Sequence, residues 1–411
     1  MDIRSAVLAI VAIAFSGPAG AGSLEKPTTV AVPGGDPRAT AIGDVTGDGF
    51  ADLVAAVVVE GRVDAVVFRQ RVDGLLAPPL AFATGPAGLR TGLALGDLDE
   101  DRIADIVVGH AGGVTLLLGD GVGGFATRQV ATAAGITNVA VLDANGDGHL
   151  DVVAQTWNAG AWILRGDGAG GIASTGTLAT KATGYNDIDT GDPDGDGRTD
   201  LVVLGGQPDR GAEVFVRNTA AGFRTGVGLF GDPGRSVRAL AVGDLDGDGR
   251  DDVAFGHPTN SPTRMWVRYA LPAGGFDAGL ALATLDLPAA ALADDIDGDG
   301  DDDLLVAHDG WSRVGVYAQR DDGLLAPETL YDTPMLLHVE AHAMSSGDLD
   351  NDGCRDVALA AIAQWIVRMN GVGCVAPPSA DLGVDVGGTD GTIVVRIRHD
   401  GGSAASAAPL L

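Results

Sequence analysis

One pattern recurs seven times along the chain: an aspartate-rich turn followed at once by an unbroken apolar run. It reads GDVTGDGFADLV from Gly43, GDLDEDRIADIV from Gly96, LDANGDGHLDVV from Leu142 and GDPDGDGRTDLV from Gly191. It continues as GDLDGDGRDDVA from Gly243, DDIDGDGDDDLL from Asp294 and GDLDNDGCRDVA from Gly347. Successive first aspartates lie 46 to 53 residues apart. A fixed period of this size means a row of like supersecondary units, none of which buries its apolar surface alone. Together the units fill residues 24–376.

Each unit has the same internal order. A short run of small or apolar residues, such as Ala239-Leu240-Ala241-Val242, precedes the acidic turn. An apolar run such as Asp303-Leu304-Leu305-Val306-Ala307 follows it. A third β-rich run (Val114-Thr115-Leu116-Leu117-Leu118) leads through a Gly-rich turn to a fourth. Short β-branched runs bounded by Gly, Asp and Pro read as strands and hairpins. The expected fold is all-β: a seven-bladed β-propeller of four-stranded antiparallel blades. Packing blade on blade explains why the second strand is apolar throughout, and closing the ring leaves no bare end. Unit seven has no fourth strand of its own. Residues 24–30 resemble a fourth-strand entry, so the N-terminal segment is expected to supply the outer strand of the last blade. Cys354 and Cys374, before strand two and after strand three of that unit, are expected to form a disulfide.

In the pattern D-x-D-x-D-G-x-x-D the acids occupy positions 1, 3, 5 and 9. Such a turn suits calcium, which takes six to eight oxygens, better than magnesium, which prefers a small water-rich octahedron. Four units are complete: Asp192, Asp194, Asp196 and Asp200; Asp244, Asp246, Asp248 and Asp252; Asp295, Asp297, Asp299 and Asp303; Asp348, Asp350, Asp352 and Asp356. Unit one carries Thr46 at position 3 among Asp44, Asp48 and Asp52, and unit three carries Asn145 among Asp143, Asp147 and Asp151. Unit two keeps Asp97, Asp99, Asp101 and Asp105 but has Arg102 where the glycine belongs, so it fits least well. Up to seven calcium ions are expected, with the aspartate at position 9 closing each site. An EF-hand is excluded because position 12 is apolar and mid-strand in every unit.

Composition and the chain ends bound the setting. With 26 Lys+Arg against 56 Asp+Glu, the net charge is -30, which argues against nucleic acid and anionic membrane surfaces. Residues 1–21, with Arg4, an apolar run to Phe15 and Ala19-Gly20-Ala21, read as a secretory signal peptide. The mature chain is then expected to be exported, to the periplasm, cell surface or medium, with no transmembrane segment.

These repeats resemble FG-GAP/VCBS repeats, the blades of the integrin α-chain head. The resemblance covers residues 24–376 and implies a seven-bladed propeller with calcium in the strand-one to strand-two loops of one rim. Proteins of this kind include adhesion receptors, lectins and carbohydrate-active proteins. Residues 379–411 differ. They carry a β-hairpin signal around Gly387-Gly388-Thr389-Asp390-Gly391 and resemble the opening of an immunoglobulin-like segment.

No nucleophile elbow, P-loop or dinucleotide fingerprint is present, and His338-Val339-Glu340-Ala341-His342 has the wrong order for a zinc protease. One other constellation stands out. Five residues after the closing aspartate, units two, five and six carry His110, His257 and His308, on the rim opposite the acidic turns. Trp157, Trp311 and Trp365 lie in or beside the adjoining turns, as do Asn158, Gln207, Arg210 and Asn260. This rim is the candidate surface for an unknown protein or glycan ligand. The reading is a calcium-binding adhesion or binding module without catalysis. The alternatives are a polysaccharide lyase-like enzyme on the same fold, or a scaffold segment of a larger surface protein.

Overall fold

The computed structural model describes residues 23–132, 135–157, 160–178, 187–205, 212–215, 217–218, 222–223, 227–229, 237–257, 263–334, 339–361, 365–374, 384–385 and 394–395. The signal-like residues 1–21 and most of residues 379–411 lie outside this set. Within the latter, Val384–Asp385 pairs antiparallel with Val394–Val395, as the hairpin signal requires.

Seven four-stranded antiparallel sheets follow one another along the chain. From inside outwards, blade one runs Asp36–Gly43, Asp52–Val59, Arg62–Phe68 and Leu80–Pro86, and blade two Gly92–Gly96, Asp105–His110, Gly113–Gly119 and Phe125–Ala131. Blade three is Ile136–Leu142, Asp151–Thr156, Ala161–Gly166 and Ile172–Leu178. Blade four is Asp187–Gly191, Asp200–Leu204, Ala212–Phe215 and Val227–Leu229, with a small hairpin, Arg217–Asn218 with Gly222–Phe223, before its outer strand. Blade five is Leu240–Gly243, Asp252–Gly256, Thr263–Arg268 and Leu280–Thr284. Blade six is Pro288–Asp294, Asp303–His308, Arg313–Tyr317 and Thr329–Asp332. Blade seven takes Met344–Gly347, Asp356–Ala361 and Trp365–Met369 from the end of the propeller and Thr28–Ala31 from its start.

Every inner strand touches the inner strand of the next blade, and that of blade seven touches that of blade one, so the ring closes. The packing shows why. The buried apolar side chains fall into seven separate clusters, each shared by two neighbouring blades. Val54 and Ala56 of blade one, for instance, pack with Ile106 and Val108 of blade two. A second strand therefore has no solvent face: every residue of Asp105–His110, Asp151–Thr156 and Asp356–Ala361 is buried. Outer strands such as Phe125–Ala131 alternate or turn to water. Inner strands use small residues because they converge: a Cβ on Gly92 would lie 2.6 Å from the Val139 backbone nitrogen of blade three.

The ends meet as expected. Thr28–Ala31 pairs antiparallel with Trp365–Met369, and Ser23–Leu24 pairs with Gly371–Val372. Cys354 and Cys374 form a disulfide with their Cα atoms 5.7 Å apart.

Candidate metal loops and the opposite rim

The seven acidic turns share one rim, each joining the first strand of a blade to its second. The first aspartate organises the turn by accepting backbone N–H groups. Asp44 Oδ1 accepts Gly47 N at 2.6 Å and Asp48 N at 3.2 Å, and its Oδ2 accepts Gly49 N at 2.8 Å. The fifth residue caps the bend: Asp48 Oδ1 accepts Phe50 N at 3.0 Å. The same pattern recurs around Asp97, Asp192, Asp244 and Asp295.

This winding needs a left-handed backbone at positions 4 and 6. Gly47 and Gly49 have φ of 71° and 87°. Unit two adopts the same turn although it has a glycine at neither position: Glu100 has φ 62° and Arg102 has φ 75°. Its departure from the pattern therefore costs strain, roughly 1–2 kcal/mol per residue, rather than the turn itself. The sequence reading noted position 6 and missed position 4, where Gly47, Gly146, Gly195, Gly247 and Gly298 carried the signal.

The aspartate at position 9 is a latch. Asp252 Oδ1 accepts Ala270 N at 2.7 Å and its Oδ2 accepts Leu245 N at 3.1 Å. One amide follows strand three and the other is position 2 of the turn, so a single carboxylate ties turn, second strand and third strand together. Asp52, Asp105, Asp151, Asp303 and Asp356 bind the matching pairs of amides. All six are buried. Burial pushes Asp52, Asp105, Asp151 and Asp356 up to about 6, Asp303 to about 7 and Asp252 to about 8.

Five turns bring three aspartates together with carboxylate oxygens within 4.8 Å of one another. They are Asp97, Asp99 and Asp101; Asp192, Asp194 and Asp200; Asp244, Asp246 and Asp248; Asp295, Asp297 and Asp299; and Asp348, Asp350 and Asp356. The position-3 oxygens test whether an ion fits. Oδ1 of Asp99, Asp246, Asp297 and Asp350 is buried without a hydrogen bond, a costly state for a carboxylate oxygen unless a cation meets it. The donor set is all oxygen, which suits a hard cation of calcium's type. Units one and three, with Thr46 and Asn145, form no such trio among the described residues. Asn145 Nδ2 instead donates to Asp147 Oδ2 at 3.0 Å.

Acids beside the turns are used as well. Asp302 Oδ2 accepts the Asp244 amide at 3.1 Å and Asp251 Oδ2 accepts the Asp192 amide at 2.6 Å. Each joins its blade to the turn of the preceding one. Asp302 is thus a fastener between blades.

On the opposite rim the structure changes the reading of the histidines. His110 and His308 end their second strands and His257 directly follows its own, but all three are buried. His308 lies between Glu328 Oε1, 2.8 Å from Nε2, and the Asp286 carbonyl oxygen, 3.2 Å from Nδ1. His110 Nε2 sits 2.9 Å from Thr115 Oγ1, and burial lowers its pKa. The His110 ring is covered by the preceding blade, where Gly85 lies against it. All three histidines are buried and so are not presented on the surface of this rim. Trp157 is half-buried, whereas Trp311 and Trp365 are exposed on adjacent blades. Asn158, Gln207, Arg210 and Asn260 lie outside the described residues.

The same side carries a bridge that no motif announced. The first strand of blade seven is preceded by Val339–Ala343, which is held from three parts of the ring. Arg38 Nη1 of blade one pairs with Glu340 at 2.8 Å, and Arg238, ahead of blade five, donates to the Val339 carbonyl. His342 Nε2 lies 3.0 Å from Asp187 Oδ1 of blade four, which is on the far side of the ring.

Sequence comparison agrees with this geometry. The model of the FG-GAP-like repeat matches residues 44–108, 97–154, 145–203, 192–255 and 295–359, more than half of the chain. The chain belongs to the FG-GAP-like repeat family. No curated protein matches its sequence. Among solved structures, a lectin of Agrocybe aegerita that recognises non-reducing terminal N-acetylglucosamine superposes with a TM-score of 0.55 at 20% identity, over 72% of this chain and 80% of the lectin. BBS1N, solved in complex with ARL6DN, superposes with a TM-score of 0.57 at 14% identity, over 87% of this chain and 98% of BBS1N. The WD40 domain of Toxoplasma gondii coronin gives 0.52 at 12% identity, over 87% and 89%. At such identities the likeness is one of fold.

Proposed function

We propose that this FG-GAP-like propeller is an exported, calcium-loaded binding module, with ions on the acidic rim and a glycan held on the rim that bears Trp311 and Trp365. The observation that carries the calcium part is the set of buried, unbonded position-3 oxygens in turns that also gather two further aspartates. The first and third aspartates would hold the ion, joined by the fifth in three of these turns and by the ninth, Asp200 or Asp356, in the other two. The ion supplies neutralisation of carboxylates that the fold packs together. The ligand part is supported by the exposure of Trp311, 49%, and Trp365, 36%, since aromatic faces stack on sugar rings. The disulfide suits an oxidising compartment. Among the described residues no helix is long and apolar enough to cross a membrane.

Calcium titration by calorimetry, with the metal content of the protein measured directly, tests the first part. Uptake of about five ions is expected from the five trios, and an ion-free protein in excess calcium would end it. A glycan array tests the second part. Trp311→Ala and Trp365→Ala should each abolish the signal while leaving the melting temperature unchanged, and retention of binding by both would refute the Trp-bearing rim.

A further inference from the structure

Strand three has one position, opposite the second residue after the latch aspartate, that is aliphatic in six blades. It is Val67 opposite Val54, Leu116 opposite Val107, Ile163 opposite Val153, Val214 opposite Val202, Val267 opposite Ala254 and Val316 opposite Leu305. In blade seven it is Arg368, opposite Ala358. An arginine buried at a core position requires a partner. Its Nη2 lies 2.9 Å from Asp356 Oδ2, the latch, and 3.0 Å from Asp350 Oδ2, the third residue of the acidic turn. Asn370 Nδ2 donates to the same Asp350 oxygen at 2.8 Å. In blades one, two, three, five and six the latch oxygens meet backbone amides.

We propose that Arg368 is the resident counter-ion of the blade-seven turn, keeping that turn and the ring closure folded when divalent ions are withdrawn. Its strand is the one that receives the N-terminal segment, and Thr28 Oγ1 donates to the Arg368 carbonyl oxygen at 3.3 Å. The disulfide adds a second fastener that needs no ion. Cys354 is position 7 of this turn, and its N–H is held by Asp352 Oδ1 at 2.8 Å. Arg368 engages Oδ2 of Asp350 and leaves Oδ1 buried and unbonded, so guanidinium and ion can coexist. Arg198 and Arg250 pair with the exposed position-5 acids of their own turns, Asp196 and Asp248, whereas Arg368 bridges the buried latch and the position-3 acid, so blade seven is provided for where its charge is most deeply packed. Arg368 is a positioning residue that acts through the two aspartates.

The inference rests on the calcium reading only for the contrast between blades. Amide hydrogen exchange on the full chain in chelator tests it, read at Leu349 and Gly371, whose N–H groups bond the Asp356 latch, and at Leu245 and Ala270, their counterparts in blade five. In the wild type, protection at Leu349 and Gly371 should survive chelation while that at Leu245 and Ala270 falls. In Arg368→Met, protection at Leu349 and Gly371 in chelator should fall about a hundredfold or more, as expected when one partner of a buried ion pair is removed. Arg368→Lys, which keeps the charge, should retain part of it and guards against a folding defect of the Met variant. Equal protection at Leu349 and Gly371 in wild type and both variants, all in chelator, overturns the proposal. If calcium changes exchange in no blade, the calcium reading fails, and the comparison of wild type with Arg368→Met in chelator still decides the role of Arg368.

Discussion

Without divalent ions, the stability of this propeller should fall as pH rises from about 5 to about 8, and Asp252 should carry the largest single share. Burial raises the latch carboxylates above the ordinary value of 3.8: Asp252 to about 8, Asp303 to about 7, and Asp52, Asp105, Asp151 and Asp356 to about 6. A group whose pKa is higher folded than unfolded favours the fold fully below its unfolded pKa, and loses that contribution as pH rises through the folded one. For these six the window runs from pH 3.8 up to about 8. At 1.36 kcal/mol per unit, the Asp252 shift has a ceiling of ~6 kcal/mol. Water and relaxation in a rim turn reduce this, and ~2 kcal/mol is a working figure. Melting curves in chelator across this pH range are the assay, with calcium-saturated protein as reference. The net charge of -30 also disfavours the compact state at higher pH, so the wild-type slope alone does not isolate the latch. Asp252→Asn does, because it changes the net charge by one and removes this titration. The variant should start lower, having lost one amide acceptor, but descend less with pH, by about 4 °C over the range. In calcium both proteins should be nearly flat. Parallel slopes for wild type and Asp252→Asn in chelator would refute the argument that ionising this buried carboxylate costs stability.

Other consequences are simpler to check. Gly74 in the blade-one hairpin has φ 72°, and a Cβ there would fall 2.6 Å from the Asp350 carbonyl oxygen of blade seven. Gly74→Ala should therefore cost ~2 kcal/mol in denaturant unfolding. Arg102→Gly relieves the left-handed strain of unit two and should stabilise by ~1 kcal/mol in the same assay. Reducing Cys354–Cys374, whose partners are 20 residues apart, should cost ~3 kcal/mol, measured by unfolding with and without reductant.

The fold was legible because the period, the strand order and the missing fourth strand of unit seven are local features of the sequence. The acidic turns were legible in composition and less so in division of labour. Position 9 reads in the sequence as a closing ligand. The amides that it binds, such as Gly119 for Asp105 and Gln319 for Asp303, come 14 and 16 residues later, where nothing in the motif points to them. The histidines failed for a different reason. His110, His257 and His308 stand where a strand leaves the core, and their own units suggest exposure. What covers His110 is the neighbouring blade, through Gly85, and a repeat read one unit at a time does not show its neighbour. Arg368 is visible only after the strands are in register, as the one charge in a column of aliphatic residues.

The acidic turns belong to seams as much as to blades, and this gives metal a structural reach beyond its ligands. The turn of one blade is contacted by the hairpin that precedes the outer strand of the next: Gly170 N donates to the Leu98 carbonyl at 3.0 Å, and Gly74 lies against Asp350. Gln319 Nε2 likewise donates to the Asp244 carbonyl at 2.7 Å. An ion that stiffens a turn therefore stiffens the contact with the next blade. Each seam has its own apolar cluster, so the ring is only as closed as its weakest seam. The N-terminal segment serves two of them: Leu24 joins the cluster between blades six and seven, and Val30 and Val32 join the one between blades seven and one. Both flanks of blade seven thus depend on a peptide that could detach as a unit. That is where a guanidinium and a disulfide, neither of which dissociates with calcium, have the most to hold.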